Sequence, residues 1–89
     1  MYAWDETKRL KNLAKHRVDF AEAAAFDWAT SISAADDRSD YGETREWALG
    51  LIGERLHYLA FTRRDQMVRV ISLRKANQRE FDQWIRQTS

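Results

Sequence analysis

Cysteine and proline are absent from this chain of 89 residues, and only three glycines and two histidines occur. Without cysteine, neither a disulfide nor a thiolate metal site can form. His16 and His57 are too few to build a zinc cluster without help from carboxylates, so no metal site and no cofactor is expected. No apolar run approaches the roughly 20 residues that span a bilayer. The segment from Met1 to Glu6 also lacks the basic start and apolar stretch of a signal peptide, and a cytoplasmic protein is the expectation. Repeats, low-complexity tracts and linkers are missing too. With no proline and little glycine, turns fall to Asp, Asn and Ser. The length suits one compact domain over residues 1–89.

What is present is aromatic and unevenly charged. Hydrophobic residues make up 44% of the chain and aromatics 12%, enough to fill a small core. The net charge is only +1, yet residues 1–18 carry five basic and two acidic groups, and residues 19–46 carry eight acidic and two basic. Residues 55–89 carry eight basic and three acidic, and seven of those eight are arginine. The planar arginine fork matches phosphate geometry better than lysine does.

A coarse reading gives Tyr2–Trp4 as a short strand. A first helix is capped by Asp5 and ends near His16, with Leu10, Leu13 and Ala14 on one face and Lys8, Arg9, Lys11 and Lys15 on the others. Asp19 and Glu22 form a capping box that opens a second helix, whose body from Phe20 to Trp28 is apolar almost all round and should be buried. Residues 31–34 read as a strand and 36–42 as a polar loop. Its acids Asp36 and Asp37 are turn formers more readily than magnesium ligands. Thr44–Ile52, Arg55–Arg63 and Met67–Leu73 have strand composition and make a three-stranded antiparallel meander. Asn77 and Glu80 cap a closing helix with Phe81, Trp84 and Ile85 as its buried stripe. The predicted class is α+β: a small antiparallel sheet, with one or two short strands beside the meander, packed against two N-terminal helices and one C-terminal helix.

Register then predicts a constellation. If both hairpin loops hold two residues, Arg45 lies opposite Thr62 and Thr62 opposite Arg69, with Glu43, Arg64 and Met67 one row outward. Glu43, Arg45, Thr62, Arg64 and Arg69 gather at one end of one face. Trp47, Leu49, Tyr58, Ala60, Ile71 and Leu73 form an apolar floor beyond them, and Gly50, His57 and Arg74 a row on the reverse face. A three-residue second loop would instead move Arg69 to the other face. Three arginines so close repel one another unless an anion sits among them. A phosphate, an acidic partner segment, or ion pairs from Glu43 to Arg45 and Arg64 would each relieve that repulsion.

The sequence also resembles the BrnT family of toxins. The resemblance rests on Trp4-Asp5-Glu6-x-Lys8, Asn12-Leu13-x-Lys15-His16, Val18-x-Phe20-x-Glu22-Ala23 and Asp36-Asp37-Arg38. It continues through Tyr41-Gly42-Glu43-x-Arg45, Ala48-Leu49-Gly50 and Val70-Ile71-Ser72-x-Arg74-Lys75-Ala76-Asn77-x-Arg79-Glu80. It runs from residue 4 to about 84. What it implies is a RelE-like fold and a ribonuclease that needs no cofactor and arrests translation. It also implies a BrnA-type ribbon-helix-helix antitoxin, joined to the toxin in a heterotetramer that binds operator DNA through the antitoxin. Arg17 departs from the pattern where glycine is usual, as do Glu46, Arg63 and Asp65 around the arginine and Thr-x-Arg elements.

A ribonuclease of this kind must deprotonate a ribose 2′-hydroxyl, stabilise charge at phosphorus and protonate the leaving 5′-oxygen. Arg45, Arg64, Arg69 and Arg74 are candidates for the charge, with preorganised donors giving the largest single contribution. Arginine is a poor base because its pKa exceeds about 12. The base is therefore Glu43, His57 or Lys75, and the sequence leaves that choice open. Thr62, Arg69 and Lys75 are candidate RNA contacts. Trp28, Trp47, Tyr58 and Trp84 are available for stacking on bases or for the core. The competing reading is a non-catalytic α+β binding module that offers the arginine-rich face to an acidic partner.

Overall fold

The computed structural model describes residues 1–36 and 44–89. In chain order it contains β1 (Tyr2–Ala3), α1 (Glu6–His16), a short 3₁₀ helix (Phe20–Ala25), β2 (Ile32–Asp36), β3 (Arg45–Ile52), β4 (Arg55–Arg64), β5 (Met67–Lys75) and α2 (Gln78–Thr88). One five-stranded sheet has the order β1-β5-β4-β3-β2. The predicted meander is its centre, and the α+β class holds. The sheet is mixed, however, and not wholly antiparallel, because β1 pairs with β5 in parallel at Tyr2–Val68 and Ala3–Arg69. A parallel pair needs a long connection, and here almost the whole chain supplies it.

Two expected helices are built differently. Asp19 and Glu22 do make a reciprocal capping box, but the element they open is 3₁₀. At three residues per turn, positions three apart eclipse. Phe20, Ala23 and Phe26 are therefore the buried edge, and Ala21, Ala24 and Ala25 face solvent. The apolar-all-round segment is buried along one line only. In α2 the Asn77–Glu80 capping box is present, yet Phe81 and Ile85 are 42% and 41% exposed. Only Trp84 of the expected stripe packs against the sheet, where its indole Nε1–H donates to the Thr30 carbonyl at 3.0 Å.

α1 docks through a polar residue. Leu10 is half exposed, and Asn12 is the buried residue of the helix. β1 covers β5 for only two residues, so the rest of that edge needs another partner. Asn12 provides it. Its Nδ2 donates to the Leu73 carbonyl at 2.7 Å and the Val18 carbonyl at 3.0 Å, while its Oδ1 accepts from Leu73 N at 3.2 Å and Ser72 Oγ at 3.3 Å. One side-chain amide thus stands in for a neighbouring strand. Asn12→Ala should destabilise the fold by about 3 kcal/mol, since it removes several buried hydrogen bonds worth roughly 1 kcal/mol each. Urea denaturation of the two proteins checks this.

The hairpins set the register. Gly53 (φ 62) opens the β3–β4 turn, and every pair from Arg45–Thr62 to Ile52–Arg55 follows the two-residue prediction. At the next turn Asp65 (φ 53) and Gln66 (φ 66) both adopt left-handed backbone. The expected two-residue loop therefore closes with poor turn residues, at a conformational cost. Arg17 (φ 62) ends α1 in the same conformation and donates its N–H to the Leu13 carbonyl, a left-handed helix end that glycine adopts most readily. β4 and β5 hold the predicted register from Arg64–Met67 to Phe61–Val70, then slip by one residue at Ala60–Ser72. Ile71 is the extra residue, a β-bulge.

The bulge changes which residues share a face. Leu73 leaves the predicted apolar floor and joins Phe20, Ala48, Leu59, Phe61 and Val70 in the core between the sheet and the N-terminal elements. Arg74 moves the opposite way, to pair with Tyr58.

Candidate active site

The sheet face away from that core carries an ordered set of rows. Arg69, Thr62 and Arg45 form the first row across β5, β4 and β3, the two arginines about 10 Å apart by strand spacing. Ser72, Ala60 and Trp47 form the second, and Arg74, Tyr58 and Leu49 the third. Thr62 is buried while its two arginine neighbours are exposed. Arg64 and Arg69 line a small hollow of about 150 Å³ with Ala3, Asp65 and Met67. Glu43 lies outside the described residues.

Because α1 runs along the edge of β5, its basic flank overhangs this face. Lys8, Lys11, Lys15 and His16 line one open hollow of about 480 Å³ with Arg45, over a floor of Asn12, Ile71 and Ser72. Among the described residues, no ion pair is formed by Lys8, Lys11, Lys15, Arg45 or Arg69, although Asp36 stands directly opposite Arg45 in the sheet register. Arg9 differs: its guanidinium bonds Glu6 at 2.6 Å and Asp19 at 2.8 Å, tying α1 to the next element. Lys8, Lys11, Lys15 and Arg45 would repel one another in isolation and favour an anion between them.

Arg74 stands one row beyond Ser72 on the same face, near enough for its charge to act on His16. Its guanidinium is gripped by both oxygens of Glu80, each at 2.8 Å, and lies 4.2 Å from the Tyr58 ring centroid. The Glu80 hydrogen bonds hold the guanidinium pKa up, and Arg74 holds the Glu80 carboxyl below the usual carboxylate range. Glu80 Oε1 also accepts from the Asn77 N–H at 2.9 Å, so the α2 cap and the arginine clamp are one structure.

His16 is the imidazole within this cationic environment. Partial burial lowers its pKa, and the charges of Lys15 and Arg74 push it further down. The ring is therefore mostly neutral at physiological pH. From the sequence alone His16 stands out only as the end of the first helix. Its signal was its place one residue after Lys15, on the flank that carries Lys8 and Lys11, but the docking of α1 was needed to aim that flank.

Other candidates fall elsewhere. His57 is buried on the reverse face, in register with Gly50 and Lys75. Its Nδ1–H donates to the Arg55 carbonyl at 2.8 Å. Lys75 is exposed on that side. The sheet separates both from the arginine row, whereas Arg74, expected beside His57, joins the arginine side because of the Ile71 bulge. Arg63 and Glu46 pair with each other on the reverse face: Arg63 Nε donates to Glu46 Oε2 at 3.0 Å, with the guanidinium over the Phe61 and Trp28 rings.

His57 makes stability depend on pH. Burial lowers its pKa, and the Arg55 carbonyl offsets part of that. A group whose folded pKa lies below its unfolded value takes up a proton more readily when unfolded. Stability is then fully present above about pH 6.5 and is lost as pH falls through the folded value. His16 acts in the same direction. The melting temperature should fall as pH drops from about 8 to about 5, and His57→Gln should flatten that slope. Thermal scans at several pH values measure it.

Among the described residues, no three His, Asp or Glu side chains converge as metal ligands, and no helix is long and apolar enough to cross a membrane. An α+β protein with a mixed five-stranded sheet and a cationic hollow beside it is the class this geometry defines. A family model described as the ribonuclease toxin, BrnT, of type II toxin–antitoxin systems matches residues 4–80. The chain belongs to that family. No curated protein matches it.

Proposed function

We propose that this toxin cleaves RNA without a metal ion in the hollow between α1 and the arginine-bearing sheet face. One observation carries the reading: Lys8, Lys11, Lys15, His16 and Arg45, from two distant segments, line a single hollow. The positive charge of the three lysines and Arg45 is what a phosphorane needs, and it is supplied by side chains. The scissile phosphate lies between the lysines and Arg45, with Arg74 at its edge and Arg69, Thr62 and Arg64 tracking the backbone beyond.

Neutral His16 accepts the proton of the 2′-hydroxyl as that oxygen attacks phosphorus. Charge on the five-coordinate phosphorus is stabilised by Arg45 and Arg74. The bond to the 5′-oxygen breaks, and a lysine ammonium of the hollow gives that oxygen a proton. The products are a 2′,3′-cyclic phosphate and a 5′-hydroxyl. Translation stops as RNA is lost. A BrnA-like ribbon-helix-helix antitoxin neutralises the toxin in a cytoplasmic heterotetramer and carries the complex to operator DNA. The fold is of the RelE-like kind, and residues 1–89 act as one toxin domain.

The test is cleavage of a structured RNA by purified toxin in chelator, followed by analysis of the ends. Cyclic phosphate ends at an undiminished rate support the proposal. Cleavage that stops in chelator and returns with magnesium contradicts the metal-free route, and intact RNA held tightly by the protein favours a binding module.

A further inference from the structure

Beside the cationic hollow lies a second one of different chemistry. Its volume is about 270 Å³, and it is lined by Trp47, Leu49, Tyr58, Arg74, Glu80 and Gln83. That is just below the roughly 300–1,000 Å³ of drug-sized ligand sites, which suits one planar ring system. Trp47 and Tyr58 are only partly buried although the sheet around them is packed. Two aromatic side chains thus wall a hollow that no other described residue fills.

Its polar groups are differently committed. Arg74 and Glu80 satisfy each other, with Glu80 Oε1 also taken by the Asn77 N–H. Among the described residues, the half-buried Gln83 amide has no hydrogen-bond partner. It offers a donor and an acceptor side by side. Trp47 follows Arg45 by two residues on the same face of β3, about 7 Å along the strand, and Arg74 of this hollow stands one row beyond Ser72, which lines the cationic one. A phosphate held at Arg45 would place an adjoining nucleotide's base over Trp47.

We infer that this second hollow is a nucleobase subsite in which Gln83 reads the base edge. An unpaired base packs against aromatic side chains or an arginine plane, and its edge is read by hydrogen bonds. A glutamine amide matches the adjacent amino donor and ring-nitrogen acceptor of adenine. Stacking on Trp47 and Tyr58 supplies sequence-tolerant affinity, and Gln83 supplies the preference for adenine over uracil. The inference deepens the ribonuclease reading and rests on it for the preference at the cleavage site.

The experiment has two arms. In the first, wild-type toxin and Gln83→Leu cleave two RNAs that differ only by adenine or uracil beside the scissile bond. The wild type should favour adenine about tenfold or more, and the variant should bring the ratio close to one, because each good bidentate contact contributes about 1–3 kcal/mol of discrimination. An unchanged ratio in a variant that melts like the wild type overturns the inference and leaves the ribonuclease reading standing. In the second arm, adenosine monophosphate is titrated while the Trp47 indole resonance is followed by NMR. A shift in the wild type that Gln83→Leu weakens supports the subsite even if no RNA is cleaved, in which case only the ribonuclease reading fails. No shift with either protein overturns the subsite.

Discussion

Arg45→Ala is expected to slow RNA cleavage by roughly 10²–10³-fold, the usual loss when one preorganised donor to a transition-state oxyanion is removed. Its stability should change by less than about 0.5 kcal/mol, because Arg45 is exposed and has no carboxylate partner among the described residues. The two effects separate cleanly, which makes this substitution more informative than one at Arg74. Arg74→Ala would strand the Glu80 carboxylate, whose side chain is only 16% exposed, and would weaken the α2 cap. Arg74→Lys keeps the charge but loses the fork that Glu80 grips, so its loss of rate should come with a lower melting temperature. Rates on a defined RNA beside melting curves distinguish the two. Full activity in folded Arg45→Ala would remove that residue from the site.

His16→Ala should cost about 10²–10⁴-fold in rate, the range for a positioned general base. It should also change the shape of the pH profile. With a pKa below its ordinary value of about 6.5, His16 loses its proton as pH rises through the acidic range, so wild-type activity climbs there and levels off near neutrality. The variant should lack that limb. The matching substitution His57→Gln should alter the pH dependence of melting and leave the acidic limb of the rate in place. If His57 rather than His16 governs the limb, the assignment of the base is wrong, because the two imidazoles lie on opposite sides of the sheet.

Much of the fold was legible because it rests on local signals. Asp5, Asp19–Glu22 and Asn77–Glu80 announce helix starts through side-chain hydrogen bonds only a few residues long. Gly53 fixes the β3–β4 turn, and with it the neighbourhood of Arg45 and Thr62. The arginine row follows from counting residues around two hairpins.

The rest depends on contacts between distant segments. Nothing in Val70-Ile71-Ser72 marks the bulge, which comes with the Asn12 amide gripping Ser72 and Leu73 from 60 and 61 residues away. That one inserted residue carried Arg74 to the arginine side. The parallel pairing of β1 and the overhang of the α1 lysines are tertiary facts of the same kind. Hydrophobic spacing alone also misjudged the closing helix: Phe81 and Ile85 have a helical stripe's spacing but stay substantially exposed.

Where RNA touches the protein decides the assignment of the site. The direct measurement is an NMR titration with an oligonucleotide made uncleavable by a 2′-deoxy sugar at the scissile position. Resonances of Lys11, Lys15, His16, Arg45 and Arg74 should shift together and saturably, while those of His57 and Lys75 across the sheet stay in place. Shifts confined to the His57 side, with the α1 lysines and Arg45 unmoved, would contradict it.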